Sequence, residues 1–206
     1  MRAALLFLVT LLYGSAAAAA DLTISVKTGA GRPVADAVVT VHPASGAGPP
    51  TRFPWSLQVD QRNMRFEPFV LIVPAGAEVS FPNRDAVRHH VYSFSKTKPF
   101  ELKLYGRDES RSVRFERAGV VALGCNIHDG MVAFLKVVDT PFAAKSDASG
   151  AVVLRGLPGG AAEVRVWHPY LRAPAGEARR LVSLRDGGAE AFTVELRAAP
   201  SNRRSY

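Results

Sequence analysis

The chain reads as an all-β protein of the sandwich class, and three features carry that reading. Apolar residues recur at every second position in short runs, as half-buried strands require. Gly and Pro, 17 and 14 of the 206 residues, gather between those runs, where turns need them. No run after the first twenty residues keeps the 3.6-residue apolar period of an amphipathic helix.

Residues 1–20, MRAALLFLVTLLYGSAAAAA, place one Arg before an apolar run from Ala3 to Tyr13 and then small residues. That is the pattern of a secretory signal peptide with an A-x-A-type site ending at Ala20, so the mature chain is expected from Asp21. The apolar run is too short to span a bilayer, and no transmembrane segment is expected once the leader is removed.

LTISVK then alternates Leu22, Ile24 and Val26 against Thr23 and Ser25, and DAVVTVHP repeats the pattern with Ala37, Val39 and Val41. Residues 44–60, opening on the Gly- and Pro-rich ASGAGPPTRFP, read as a linker. A run of strands follows. FVLIV (Phe69 to Val73) meets a Pro-Ala-Gly turn, and AEVSF leads to Pro82 and Asn83. HHVYSF follows, and ELKLYG sets Leu102 and Leu104 on one face against Lys103. RSVRFE sets Val113 and Phe115 opposite Arg114 and Glu116, GVVALG runs into Cys125, and MVAFLKVV leaves that loop. Beyond Asp139, AVVLRGLPGG and AEVRVWHP are strands. LVSLRDGGAEAFTVEL reads as a hairpin or a strand pair, with Phe192, Val194 and Leu196 facing one way. Residues 199–206 read as a frayed polar tail.

The formal net charge is +8. Its basic residues are scattered, with no aromatic-interleaved basic helix, so a nucleic-acid partner is not expected. An exported basic chain steers instead toward an acidic protein or an anionic surface. One cysteine excludes an internal disulfide, and a lone exposed thiol is a liability in an oxidising compartment. Metal coordination removes that liability by holding the sulfur as thiolate. A buried, inert Cys125 filling a core gap is the plainer reading of that residue taken alone.

Two stretches favour the metal. Gly124 to Met131, GCNIHDGM, carries Cys125, His128 and Met131 at the spacing C-x2-H-x2-M; Phe81 to Ser95 carries His89 and His90. Two imidazoles, a thiolate and a weak thioether make the ligand set of a blue-copper electron-transfer site. Nitrogen suits Cu(II) and soft sulfur suits Cu(I), so the mixed set rearranges little as one electron comes and goes. Asp129-Gly130 permits the bend before Met131. Asn83, in the turn Pro82-Asn83-Arg84-Asp85, is expected to hydrogen-bond the copper loop and tune it. Each residue has a duller reading: C-x2-H recurs by chance, Met131 could fill a core, and one histidine could be buried and the other exposed. Zinc would take Cys and two His, but Met is a poor zinc ligand and no catalytic carboxylate accompanies it. A binuclear copper centre needs a second cysteine. His42, His168, Trp55 and Trp167 read as structural. No G-x-S-x-G, second cysteine or carboxylate pair supports nucleophilic catalysis, so no enzyme is expected.

Adjacent strand residues point to opposite faces, so only one of His89 and His90 can face the loop. The alternation that sends His89 inward also sends Val91 inward and leaves His90 outside with Tyr92. His90 inward would need a bulge.

Phe66-Glu67-Pro68, PAGAEVSFPNRD, HHV and GCNIHDGM together resemble the plastocyanin and amicyanin branch of the cupredoxins, over residues 61–139. The resemblance implies a Greek-key β-sandwich binding one type 1 copper ion through His89, Cys125, His128 and Met131. It also implies that His128 is the exposed edge through which electrons pass. The family's H-x-V strand start selects His89, but His90 stands where those proteins usually carry Asn, so His90 remains the alternate ligand.

ISVKTGAGRPVADAVVTVHP and KSDASGAVVLRGLPGGAAEVRVWHP resemble two halves of a carboxypeptidase-regulatory-like (transthyretin-like, Ig-like) sandwich. They imply a domain of residues 21–43 and 140–198 with the copper segment inserted; one enlarged sandwich is the alternative. Exported proteins of this composite type carry the label methylamine-utilisation protein, which says nothing of chemistry. The function expected is a periplasmic or secreted one-electron carrier for a redox partner such as a cytochrome or a dehydrogenase. A copper storage, delivery or sensing module, and a structural or adhesion protein with a vestigial site, are the competing readings.

Overall fold

The computed structural model describes residues 19–46, 52–184 and 187–199. Most of the expected leader and nearly all of the expected tail lie outside them. Ala19 and Ala20 are described, and both belong to the first strand.

Strand β1 (Ala19–Thr28) buries Ala20, Leu22, Ile24 and Val26, the period-2 face its sequence carries. It is followed by β2 (Val38–Pro43). The chain then builds β3 (Asp60–Arg62), β4 (Arg65–Glu67), β5 (Val70–Pro74), β6 (Ala77–Pro82), β7 (His89–Ser93), β8 (Phe100–Tyr105), β9 (Ser110–Phe115), β10 (Gly119–Gly124) and β11 (Val132–Val138). It returns through β12 (Ala143–Lys145), β13 (Ala151–Pro158), β14 (Gly160–Trp167), β15 (Ala178–Leu184) and β16 (Gly188–Val194).

The strands before β3 and after β11 form sheets β13-β1-β16 and β12-β2-β14-β15, which close on one apolar core including Ile24, Val41, Val164 and Phe192. The intervening strands form sheet β5-β11-β10-β7-β8, the pair β6-β9 and the hairpin β3-β4 around a second core. That core includes Phe66, Phe81, Val91, Phe115 and Leu135. β15 and β16 belong to different sheets, so LVSLRDGGAEAFTVEL is a strand pair that crosses the sandwich rather than a hairpin.

The FVLIV run is explained by burial on both faces of β5. Leu71 and Val73 enter the second core, while Val70 and Ile72 join Val38, Phe69, Val138, Ala143 and Trp167 in a third apolar cluster between the two sandwiches. The same alternation on β11 turns Phe134 and Lys136 toward that junction. There Lys136 Nζ donates to Glu177 Oε1 at 2.6 Å and lies 5.7 Å from the centre of the Trp167 ring. The expected linker is docked in its second half: Phe53 stacks on Trp55 at 4.4 Å, Trp55 Nε1 donates to Ile72 O at 2.9 Å, and Val59 is fully buried. Large apolar rings hold it against the body.

One further expectation is corrected. Leu104 is exposed, and Tyr105 is buried in its place. The β7–β8 register runs from His89↔Tyr105 to Val91↔Leu102, two steps against three. That bulge inverts the facing of β8 beyond Leu102. The Tyr105 hydroxyl donates to Phe81 O at 2.6 Å and accepts from Gln61 Nε2 at 2.5 Å. Burial pushes its pKa up to about 12.

Candidate metal centre

His89 opens β7, Cys125 follows the last residue of β10, and His128 and Met131 lie in the connection to β11. Strand pairing sets the spacing between them. Gly124 pairs with Tyr92, and a Cβ at Gly124 would lie 2.8 Å from the Tyr92 ring, so glycine there lets that ring lie against the strand beside the cysteine. The Met131 N–H donates to His128 O at 3.0 Å, closing the loop into a turn.

The side chains of His89, Cys125 and His128 converge, with their ligand atoms all within 4.8 Å of one another. His89 Nδ1 lies 3.2 Å from His128 Nδ1; Cys125 Sγ lies 4.0 Å from the first and 3.7 Å from the second. A point equidistant from the three atoms is about 2.1 Å from each, within the roughly 2.0–2.3 Å that first-row ions keep to imidazole and thiolate. The residues present therefore fit one metal ion. His89 is fully buried, Cys125 is buried and His128 is half-buried. Met131 is buried in the same core cluster as Cys125.

His90 goes elsewhere. Its Nε2 is 2.8 Å from Glu101 Oε1, and its ring packs against Tyr92 at 5.7 Å. It is more buried than a surface position implies, because Tyr92 and β8 cover it. The β7–β8 bulge places its extra residue on β8, so β7 keeps its alternation: His89, Val91 and Ser93 are buried, while Phe94 at the end is 86% exposed.

Asn83 is fully buried, and its side chain organises the turn it belongs to. Its Nδ2 donates to Val87 O and Tyr105 O, and its Oδ1 accepts from the Asp85 N–H at 2.8 Å. The turn reaches the His-Cys-His group through Asp85, whose Oδ2 is 2.7 Å from His89 Nε2. Asn83 thus holds the turn together, and the turn meets the His-Cys-His group at His89 on the strand. Burial pushes the Asp85 carboxyl up, but hydrogen bonds from the Met64 N–H, His89 and the Asn63 N–H outweigh it and hold it below its ordinary value. The sequence signal for Asp85 is its place four residues before His89, a spacing that strand alternation does not read.

No family model matches the chain, and no curated protein does. Among solved structures, the chain is similar to a copper-containing nitrite reductase from Thermus scotoductus SA-01, with 25% identity and a TM-score of 0.39 over 43% of this chain and 24% of that one. It spans about a quarter of that enzyme's length. It is also similar to a purple cupredoxin from Nitrosopumilus maritimus (22% identity, TM-score 0.36, 39% of this chain and 98% of that one). A reduced amicyanin variant gives 22% identity and a TM-score of 0.38, over 48% of this chain and 98% of that one. Fold and site together define an all-β sandwich protein with a His-Cys-His group that can hold a metal ion.

Proposed function

We propose that this protein is an exported cupredoxin that holds one type 1 copper ion and carries single electrons, without enzymatic activity. The observation that supports it is the triangle of His89 Nδ1, His128 Nδ1 and Cys125 Sγ, two nitrogens and the chain's one sulfhydryl at metal-binding separations. Bound copper would supply a Cu(II)/Cu(I) couple. The chain's own part is to hold its donors still. His89 is anchored on a strand in the core and excludes water from its side; Cys125 and His128 are held by one short connection, so few atoms move as the charge changes. Met131, buried in the same cluster as Cys125, would add a weak thioether donor. His128, the half-buried ligand, offers the edge toward a partner.

The excess of basic residues favours a redox partner with an acidic face, such as a cytochrome or a periplasmic dehydrogenase. The sandwich built from residues 21–43 and 140–198 is assigned to the carboxypeptidase-regulatory-like class, with the copper-binding residues 61–139 inserted into it. No helix of the described residues is long and apolar enough to cross a membrane. The export proposal is checked by the amino terminus of protein recovered from the periplasm or medium, expected at Asp21.

The test is titration of the purified protein with Cu(II). One equivalent should give an intense visible thiolate-to-copper band and a type 1 spin-resonance signal, with reversible voltammetry and rapid oxidation of a reduced cytochrome. A coloured site with no reversible couple points to storage or delivery. No coloured complex at all ends the copper reading and leaves a structural or adhesion role.

A further inference from the structure

Three donors meet on one carboxylate. Asp85 Oδ2 accepts from the Met64 N–H at 2.9 Å and lies 2.7 Å from His89 Nε2, while Oδ1 accepts from the Asn63 N–H at 2.6 Å. Asn63 and Met64 are the two residues between β3 and β4, and both have positive φ, 53° and 56°. A two-residue hairpin turn of this kind wants Asn then Gly. Asn63 suits it, but Met64 does not: a residue with a Cβ held there is strained and persists only where its surroundings hold it. Here the carboxylate collects both amide hydrogens of the strained turn. Asp85 is itself fixed by its N–H to Asn83 Oδ1, on a side chain that is fully buried.

We infer that Asp85 is a positioning residue for His89: its carboxylate sets the tautomer and angle of the ring and ties it to the β3–β4 turn. The inference rests on the copper reading for its consequence, but its geometry stands without metal. A carboxylate that receives two backbone N–H groups acts as acceptor, so the nearby His89 Nε2 carries the ring proton and donates. That leaves Nδ1, the atom 3.2 Å from His128 Nδ1, with its lone pair free to bind. The ring cannot swivel without breaking a contact that also holds a strained turn. A carboxylate on the far nitrogen also makes the imidazole a more electron-rich ligand, which favours Cu(II) over Cu(I).

Two measurements test this. In the metal-free protein at neutral pH, the imidazole nitrogen resonances of His89 should show Nε2 protonated. In Asp85→Asn that preference should be lost, and the Asn63 and Met64 amides should exchange faster with solvent. Loaded with Cu(II) alone, Asp85→Asn should bind about 10–100-fold more weakly, with an altered spin-resonance spectrum and a raised potential. Asp85→Glu, which keeps the carboxylate, should recover part of the affinity. A wild-type His89 protonated at Nδ1 would overturn the assignment. So would an Asp85→Asn protein with wild-type affinity and spectrum. If Asp85→Asn does not fold, the wild-type tautomer still decides. If wild type gives no coloured Cu(II) complex, the copper reading fails by itself, and the metal-free resonances still judge Asp85.

Discussion

Two of the polar clusters among the described residues are satisfied in opposite ways. At the junction of the sandwiches, Lys136 meets Glu177 at 2.6 Å, Arg179 Nη2 donates to the other oxygen of Glu177 at 3.0 Å, and the Trp167 ring lies beside the ammonium. Both cations there meet the one carboxylate, each on its own oxygen. At the end of the larger sandwich, the Nδ1 atoms of His89 and His128 point at each other and at Cys125 Sγ. Two imidazole nitrogens and one sulfur that converge in this way form a group that can hold a metal ion. A complete ion pair joins parts of the fold; an incomplete set of donors binds something.

Removing one donor from the second cluster should have the largest effect. Cys125→Ser should abolish the visible band and weaken Cu(II) binding well beyond the roughly 10–100-fold of a lost hydrogen-bond partner, because a hydroxyl is neither soft nor easily deprotonated. Its metal-free melting temperature should stay near wild type. A retained band in Cys125→Ser would break the comparison at its centre. His89→Ala should lose the band as well, whereas His90→Ala should keep it; the reverse outcome would place the ligand one residue along β7.

The junction pair should behave in the opposite sense, changing stability and leaving copper alone. Glu177→Ala leaves the buried Lys136 without its counter-charge and should lower stability by about 3–5 kcal/mol, read by denaturant unfolding. Lys136→Met should be milder, since Arg179 still faces Glu177. The double variant Lys136→Met with Glu177→Leu should lie close to wild type, as paired replacement of buried ions often does. A changed copper spectrum in any of these would mean that the clusters are coupled.

His128→Gly sharpens the metal side. It should open a position that added imidazole refills, restoring the band; no recovery would count against His128 as a ligand.

The smallest effect expected is on acid stability. Burial pushes the Glu177 carboxyl up, but the Lys136 hydrogen bond and charge, with Arg179, outweigh it and hold the group below its usual 4.5. The native state then binds fewer protons than the unfolded chain, so this contribution is present above pH 4.5 and fades as pH falls through the folded value. His42, beside the same junction, is lowered below 6.5 by burial and then by Arg165. Its stability is likewise lost as pH falls below 6.5. Melting temperatures should therefore decline through two acid windows, and Glu177→Gln should shrink the decline in the lower one, leaving the part that Asp85 contributes. Stability that rises on acidification across either window would contradict both shifts.

What the sequence determined by itself was whatever depends on near neighbours along the chain. Alternation told which residues of β1, β7 and β16 face a core, because a strand's side chains switch sides at every residue whatever it pairs with. The spacing of Cys125 and His128 brought a thiol and an imidazole together within one short loop. Tertiary structure alone decided the contacts that need a register or a distant partner. A bulge against β7 exchanged Leu104 for Tyr105, β15 and β16 parted into different sheets, and Lys136 found its counter-charge 41 residues away. Asp85 joined His89 to a turn more than twenty residues earlier in the chain. Periodicity reports which side of a segment avoids water. A hydrogen bond of a few ångströms depends on how separate segments are laid side by side, and no local pattern carries that information.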